Sequence, residues 1–370
     1  MIINSLFIFF VITLVVFATK KQYVLNKKNT FHNALLIAML VMHFSVTIIQ
    51  YKWSFTSHFD SNLFYTRAVS STSWFSLFKT GNSAMSFLCF PFTKLGLSYF
   101  SVSLLFSFFS YLGYLIYFRI ITKKIVAGVS WKLMLIIFFL FPSIHFWTGF
   151  LTKESLLFLI LALFYQQLNK YKSVTLPVLL GIMCTLLIRP YLALIVLGVL
   201  GVIYFNSFSK CYKIASAFVG ALSVYLLIKF LKIRSFDSFQ DNYNNLIKYA
   251  NRAGNSSIDL GDSNFAERML LVLFRPFFID AKTVLQFFVS FENLIILLLL
   301  VGAVVLNKYL VAILNHKVSR FLVFYIIILV VFYSIYMYNM GLANRMRVMF
   351  VPYFFILIFN LLKQKSAGYN

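Results

Sequence analysis

The chain has 370 residues, of which 61% are hydrophobic and 19% aromatic, and a formal net charge of +24 at pH 7. Many uncharged apolar runs approach the about 20 residues that a helix needs to cross roughly 30 Å of hydrocarbon, which excludes a soluble globular domain. In a membrane chain this basic excess favours an orientation signal and contact with anionic lipids, so we expect no nucleic-acid partner.

The cysteines and histidines show no pattern typical of a disulfide framework or a metal site. The 3 cysteines are scattered and odd in number, and the 5 histidines lack ligand spacing. The chain also has no glycine-rich phosphate loop of the GxGxxG or GKS/T type. We therefore expect no disulfide framework, no metal and no cofactor.

The hydrophobic pattern predicts an all-α, polytopic membrane protein with about eleven transmembrane helices, forming one membrane domain over residues 1–370. The first apolar run has no basic segment before it and no small-residue cleavage site after it, so we interpret it as a retained helix. Two of the helices are short for a full crossing, and the alternative is a single pass broken at Pro190. The predicted helices cover 2–18, 33–50, 98–118, 131–149, 155–168, 174–188, 191–205, 214–231, 283–306, 321–338 and 348–362.

The loops between these helices predict an orientation. With the N-terminus outside, the inner loops carry lysine and arginine and no carboxylate, as the positive-inside rule requires. We therefore expect a multi-pass membrane protein with a cytoplasmic C-terminus. Two larger regions then face outward. The first, 51–97, contains an apolar re-entrant or interfacial segment at 84–97, and the second, 232–282, is expected to form short helices on the membrane face.

Arginine is distributed against this orientation. Most inner basic residues are lysines, whereas most arginines lie on the outer side, which the positive-inside rule does not explain. The guanidinium group binds phosphate oxygens as a planar fork, so arginines in apolar sequence are candidate pyrophosphate ligands. The alternative is that they contact lipid headgroups or pair with the carboxylates of 232–282. The four candidates are Arg189, Arg275, Arg345 and Arg347.

Two outer stretches contain acidic residues that could act as a base. Asp60 is the only carboxylate of the 51–97 region, and it could accept the proton of an attacking hydroxyl or pair with Arg67. In the stretch "FPSIHFWTGFLTKESLLF", Pro142 is expected to bend one helix, while Lys153 and Glu154 cap the next. Either they only cap it, or Lys153 binds phosphate and Glu154 orients it or acts as the base.

Two further features lie near the C-terminus. Glu292 is predicted about nine residues inside a helix, where it must find a partner such as Arg275 or the arginines of the 339–347 tip. Pairing and catalysis both remain open for this carboxylate. In "GLANRMRVMFVP" we expect a hairpin tip bracketed by Gly341 and Pro352.

These stretches together resemble the bacterial O-antigen and capsule repeat-unit polymerases, including their exopolysaccharide-type relatives, and the neighbouring multispanning GT-C glycosyltransferases. Asp60 with Tyr65 is similar to the Asp and following Tyr of the first outer loop in these proteins. The segment with Pro142, Ser143, Trp147, Lys153 and Glu154 is similar to their Pro-Ser…Trp…Lys-acid segment. "GLANRMRVMFVP" resembles a Gly…Arg-x-Arg…Pro segment near the C-terminus.

The resemblance implies an enzyme of surface polysaccharide assembly that transfers a glycan from polyprenyl pyrophosphate to a lipid-linked acceptor. Asp60 or Glu154 would be catalytic. The implied partners are the lipid-linked donor and acceptor, membrane lipids and other envelope-polysaccharide assembly proteins. The substrate-binding residues would be Tyr65, Arg67, Trp147, Lys153, Arg189, Arg275, Arg345 and Arg347.

A purely structural membrane partner remains open, although it leaves the outer arginines unexplained. Two further alternatives also remain open. One is a GT-C-type glycosyltransferase that uses a polyprenyl-phosphate sugar. It is disfavoured because the outer loops contain neither an adjacent acidic pair nor Asp-x-Asp for a metal. The other is a lipid-linked sugar flippase or transporter, which needs polar residues in the middle of the membrane. The predicted helix centres are almost free of charge, which favours the enzyme.

Overall fold

The computed structural model describes residues 2–26, 29–57, 59–123, 129–205, 220–226, 264–305, 307–337 and 339–367, with single residues at 218, 228 and 229. In these ranges the chain is all-helical and has no strand, which agrees with the predicted fold class. The chain divides into two compact units, Met1–Pro190 and Tyr191–Asn370. Each unit is described by itself.

Unit 1 is built from four long helices and five shorter ones. Two short helices and a 3₁₀ turn at Phe75–Leu77 lie between its second and third long helices. The helices of unit 1 are α1 (Ile2–Leu25), α2 (Thr30–Trp53), α3 (Asp60–Ser70), α4 (Asn82–Lys94), α5 (Tyr99–Thr122), α6 (Val129–Phe139), α7 (Pro142–Thr148), α8 (Lys153–Tyr171) and α9 (Leu176–Ile188).

Unit 2 begins within α10, whose first residue is Pro190. Its described helices are α10 (Pro190–Tyr204), α11 (Phe265–Phe274), α12 (Val284–Val305), α13 (Asn307–Leu314), α14 (Lys317–Tyr336), α15 (Met340–Arg347) and α16 (Val351–Ala367). In the predicted helix 214–231, residues 218, 220–226, 228 and 229 are described, and they are helical. The stretch 232–263 lies outside the described residues.

In the described part of the chain, six helices are long and apolar enough to cross a membrane, or seven if α15 and α16, which meet at a 52° bend, form one span. The protein is therefore a membrane protein, but the predicted count of about eleven spans is not confirmed. Helices α9 and α10 are shorter than a span of this kind. The six are α1, α2, α5, Trp131–Thr148, α12 and α14.

Two local predictions for the C-terminal part are wrong. The 339–347 segment is the helix α15 rather than an open tip, because the side chain of Asn339 accepts a hydrogen bond from the Leu342 amide and caps it. Gly341 lies inside α15 and Pro352 lies in the first turn of α16, so neither brackets a turn. The predicted inner loop 307–320 contains the helix α13.

The break at Pro142 is confirmed. Helix α6 ends at Phe139, and α7 begins with Pro142 in its first turn. Proline fits this position because the first amides of a helix have no intrahelical acceptor. The apolar run around residue 140 is thus divided into two helices.

The predicted interfacial segment at 84–97 corresponds to α4, which continues through Pro91. A proline inside a helix leaves the carbonyl four residues earlier without its amide donor. Here the indole of Trp74 donates to that carbonyl, Phe87 O, at 2.9 Å. Its ring also stacks on Phe87 at 5.0 Å and on Phe90 at 6.2 Å. The tryptophan therefore replaces the lost hydrogen bond.

The helices of unit 1 share one end that carries the candidate residues. Asn4 at the start of α1 accepts from the Ser98 amide at 2.6 Å, just before α5. Tyr99 at the start of α5 lies 5.6 Å from Phe150, just before α8. The α3–α4 region connects the C-terminus of α2 to this same point. We call this part of unit 1, with residues 54–98, the first turn of α8 and the last of α9, the loop end.

Candidate functional site

Glu154 and Arg189 form a buried ion pair at the loop end. Glu154 is fully buried in the first turn of α8, and Arg189 follows the last residue of α9 with 4% of its surface exposed. Each charge is at the helix end whose dipole favours it, the carboxylate at an N-terminus and the guanidinium at a C-terminus. Buried charges need such pairing because each has lost its hydration. The pair therefore ties α8 to α9.

The cap of α8 is Thr152, not the predicted Lys153 and Glu154. The Thr152 side chain accepts a hydrogen bond from the Ser155 amide at 3.2 Å, which satisfies a donor of the first turn. Its hydroxyl donates to the Trp147 carbonyl at 2.8 Å. Trp147, which is half-buried in α7, thus helps to position the cap through its backbone.

Lys153 is half-buried and lies beside the turn that leads into α4. A methyl group on Gly81 would come within 3.9 Å of the Lys153 ammonium nitrogen. Gly81 has φ +81°, a conformation that favours glycine, and its amide donates to the Leu187 carbonyl of α9 at 2.9 Å. The loop end thus brings the Gly81 turn, Lys153 and the Glu154–Arg189 pair together.

Helix α3 carries Asp60, Tyr65 and Arg67. Asp60 is the exposed first residue of α3. Tyr65 donates its hydroxyl to the Leu97 carbonyl at 2.9 Å, and burial raises the pKa of this phenol above its usual value. Arg67 is half-buried and donates to the Ser83 hydroxyl of α4 at 3.5 Å. Two helical turns, about 10 Å along the axis, separate Arg67 from Asp60.

In unit 2, Arg347 binds three acceptors that belong to other elements. Its guanidinium donates to the Val272 carbonyl at 2.8 Å, to the Asn293 side chain and to the Arg275 carbonyl. Asn293 in turn donates to the Pro276 carbonyl at 2.6 Å. We call these groups the Arg347 cluster. It joins α12 and α15 to the C-terminal end of α11, where carbonyl groups lack amide donors.

Glu292 meets the expectation of a cationic partner. This carboxylate is 4% exposed and interacts electrostatically with Arg347. Arg347 is itself 3% exposed. The geometry therefore makes Arg347 a residue that holds unit 2 together, while its predicted contact with a substrate stays a prediction.

Arg275 and Arg345 lie beside this cluster with different surroundings. Arg275 forms an ion pair with Asp280, which also accepts from the Phe277 amide at 2.8 Å. The hydrogen bond from Arg275 holds the pKa of the Asp280 carboxyl below its usual range, as does the Phe277 amide. Arg345 is half-buried on α15. Both arginines are more exposed than Arg347.

A polar centre that the sequence analysis missed lies inside unit 1. His43 of α2 and His145 of α7 are both fully buried and face each other at 3.0 Å between their Nδ1 atoms. The available sequence signal is the spacing of His43, Thr47 and Gln50, which places three polar side chains on one face of an apolar helix. In the described residues no three His, Cys, Asp or Glu side chains come together as a metal site.

Comparisons with known proteins return no match. No family model fits the chain, and no match is found among the curated proteins or the solved structures. The arguments for function therefore depend on the residues themselves.

Proposed function

We propose that the protein is a membrane glycosyltransferase of bacterial surface polysaccharide assembly, similar to a repeat-unit polymerase. The donor would be a glycan on polyprenyl pyrophosphate, and the acceptor a second lipid-linked glycan. The observation that carries this proposal is the loop end of unit 1, which contains the half-buried cations Lys153 and Arg67, the buried Glu154–Arg189 pair and the exposed carboxylate of Asp60.

The charge of the loop end fits an anionic headgroup. Lysine and arginine outnumber carboxylates there, and the pair with Arg189 occupies Glu154. The partly exposed cations Lys153 and Arg67 are suited to bind phosphate oxygens, and among the described residues Arg67 makes one long hydrogen bond, to Ser83. These two residues would hold the pyrophosphate and stabilise the charge that develops on it as the glycosidic bond breaks.

Asp60 takes the role of the base in this proposal. Its exposed position at the start of α3 allows a sugar hydroxyl to approach within hydrogen-bond reach, whereas Glu154 is fully buried. The acceptor hydroxyl would give its proton to Asp60 as its oxygen attacks the donor sugar, and the pyrophosphate would leave with the electron pair of the broken bond. Glu154 would position Arg189 and the first turn of α8.

The remaining predicted residues would position helices or bind phosphate. Tyr65 and Trp147 would position α3 and the start of α8, beside the headgroup. On unit 2, Arg275 and Arg345 stay candidate phosphate ligands. The basic inner loops favour an arrangement in which the loop end of unit 1 lies on the outer face of the inner membrane, with the C-terminus in the cytoplasm.

The test is to replace Asp60 with Asn and Arg345 with Ala in cells that lack the native copy of the gene. Lipid-linked glycans and surface polysaccharide are extracted and separated by size, after membrane levels have been matched. We expect long chains to be lost while single repeat units persist on their lipid. Unchanged chain length with Asp60→Asn would contradict the assignment of the base.

A further inference from the structure

The hydrogen bonds around His43 and His145 determine where their protons can lie. The Nε2 atom of His145 is 2.8 Å from the Phe139 carbonyl, and that of His43 is 3.0 Å from the Ser107 carbonyl. A carbonyl oxygen can only accept, so each Nε2 atom must carry a hydrogen to make these bonds. In two neutral rings this leaves both Nδ1 atoms without a hydrogen.

Those two Nδ1 atoms face each other at 3.0 Å, which is the length of a hydrogen bond. Without a hydrogen between them, two lone pairs would point at one another in the buried interior. One additional proton removes this conflict, because either ring can then donate to the other. We propose that His43 and His145 form a proton-binding site, an imidazole–imidazolium pair that holds one shared proton and a single positive charge.

The surroundings favour a shared charge. The ring of Tyr114 stacks on His145 at 4.4 Å and 7°, so its π face can stabilise a cation. The titratable side chains whose rings contact the pair are Tyr111 and Tyr114, both from α5. Tyr111 shares a hydrogen bond of 2.9 Å with Thr19 of α1. Burial disfavours a charge here, and the hydrogen bonds and the stacked ring oppose that cost.

The hydroxyl of Ser110 distinguishes this arrangement from a neutral one. It lies 3.0 Å from Nε2 of His43 and 2.8 Å from the carbonyl oxygens of both Ser107 and Thr148, to either of which it can donate. A neutral pair would need one ring to carry its hydrogen on Nδ1. If that ring is His145, its bare Nε2 atom would face the Phe139 carbonyl with a lone pair. If it is His43, Ser110 would have to turn away from its carbonyl acceptors toward the bare Nε2 atom, which would also face the Ser107 carbonyl with a lone pair.

His43 lies far from either end of α2. His43 is ten residues before the end of α2 at Trp53, about 15 Å by helical rise. A polar face leads from it toward the loop end. Thr47 shares a hydrogen bond of 2.7 Å with Ser107, and the buried amide oxygen of Gln50 has no hydrogen-bond donor among the described residues. Water at Gln50 would give the proton a route.

The test is nuclear magnetic resonance of the full chain in lipid nanodiscs, with ¹⁵N-labelled histidine, near neutral pH. We expect three nitrogen-bound hydrogens on the two buried rings and a coupling between the two Nδ1 atoms through the shared hydrogen. His32→Gln is the matched control, since this histidine is also buried on α2 but contacts the Phe118 ring. The coupling should persist in this variant and disappear in His43→Gln and His145→Gln.

The wild-type spectrum alone tests the shared proton, even if a variant does not fold. Two nitrogen-bound hydrogens instead of three, with one ring carrying its hydrogen on Nδ1, would overturn the proposal. Raising the pH should remove the third hydrogen and the coupling together in one reversible step. A coupling that is retained while no hydrogen is lost over that range would also contradict a titratable shared proton.

Discussion

Arg189 in unit 1 and Arg347 in unit 2 are both buried at helix ends, yet different groups compensate their charges. Arg189 is bonded to the formal charge of Glu154. Arg347 is bonded mainly to neutral acceptors, two carbonyls and an amide, with Glu292 as a nearby carboxylate. The comparison teaches that a buried arginine in this chain holds helices together. The partly exposed cations are therefore the better candidates for ligand binding.

The largest effect is expected for Arg347→Ala. Removing this side chain takes the cationic partner away from the carbonyls at the end of α11 and from the Glu292 carboxylate. We therefore expect the free energy of unfolding to fall by about 3–5 kcal/mol. The measurement is thermal unfolding of the protein in detergent. Arg345→Ala is the control, because it lies two residues away on α15 and is only half-buried. Equal losses in the two variants would contradict the structural role of Arg347.

For Arg189→Ala we expect a smaller decrease in the free energy of unfolding, about 3 kcal/mol, because the variant removes the ion-pair partner of the buried Glu154. Combining it with Glu154→Gln removes the uncompensated charge, so the double variant should be more stable than the sum of the single losses predicts. The measurement is a double-mutant cycle, in which thermal unfolding of the wild type, both single variants and the double variant is compared. Additive losses would show that the two side chains do not depend on each other.

The next largest loss of stability is expected for a substitution where α5 packs on α8. A methyl group on Gly113 would lie 2.8 Å from Cδ1 of Phe158 and 3.1 Å from Cα of Leu159, so Gly113→Ala should destabilise the protein by about 1–3 kcal/mol. Gly198→Ala is the control, since no atom of the described residues lies within 4 Å of the added methyl group. Similar unfolding temperatures for the two variants would contradict the close packing of α5 on α8 at Gly113.

The smallest effect is expected for the Arg275–Asp280 pair. Arg275 is about one-third exposed, so Asp280→Asn should cost less than about 1 kcal/mol near neutral pH. The hydrogen bond from Arg275 lowers the pKa of Asp280, so the pair stabilises the fold above the usual pKa of an aspartate. That contribution is lost as the pH falls through the lowered pKa. The wild type and Asp280→Asn should therefore converge in stability under acid conditions, and a constant difference would refute this linkage.

Much of the fold could be predicted because apolar runs and helix breakers act locally. The helices around residues 98–118, 283–306 and 348–362 match α5, α12 and α16 within about five residues, whereas α1 continues seven residues beyond the predicted end of 2–18. The sequence also predicted a cationic partner for Glu292, because a carboxylate in an apolar helix needs one. Helix α15 was missed because its polar residues suggested a turn, although Asn339 is a typical cap.

The polar centre could not be predicted from a count of charges. Histidine is written as neutral in such a count, and His43 and His145 are 102 positions apart in the chain. The argument against a transporter, that the helix centres almost lack charge, therefore overlooked this pair. A shared proton there together with unchanged glycan lengths in the loop-end variants would favour a proton-coupled transporter of lipid-linked sugars over the transferase.

The most direct test of the account compares two lysines at opposite ends of α8. Lys153 is half-buried at the loop end, and Lys170 is exposed in the last turn, where it donates to Tyr171. Lys153→Ala and Lys170→Ala are expressed at equal membrane levels in cells without the native gene, and the surface polysaccharide is separated by size. The account predicts short chains only in Lys153→Ala. Full-length chains in both variants would contradict it.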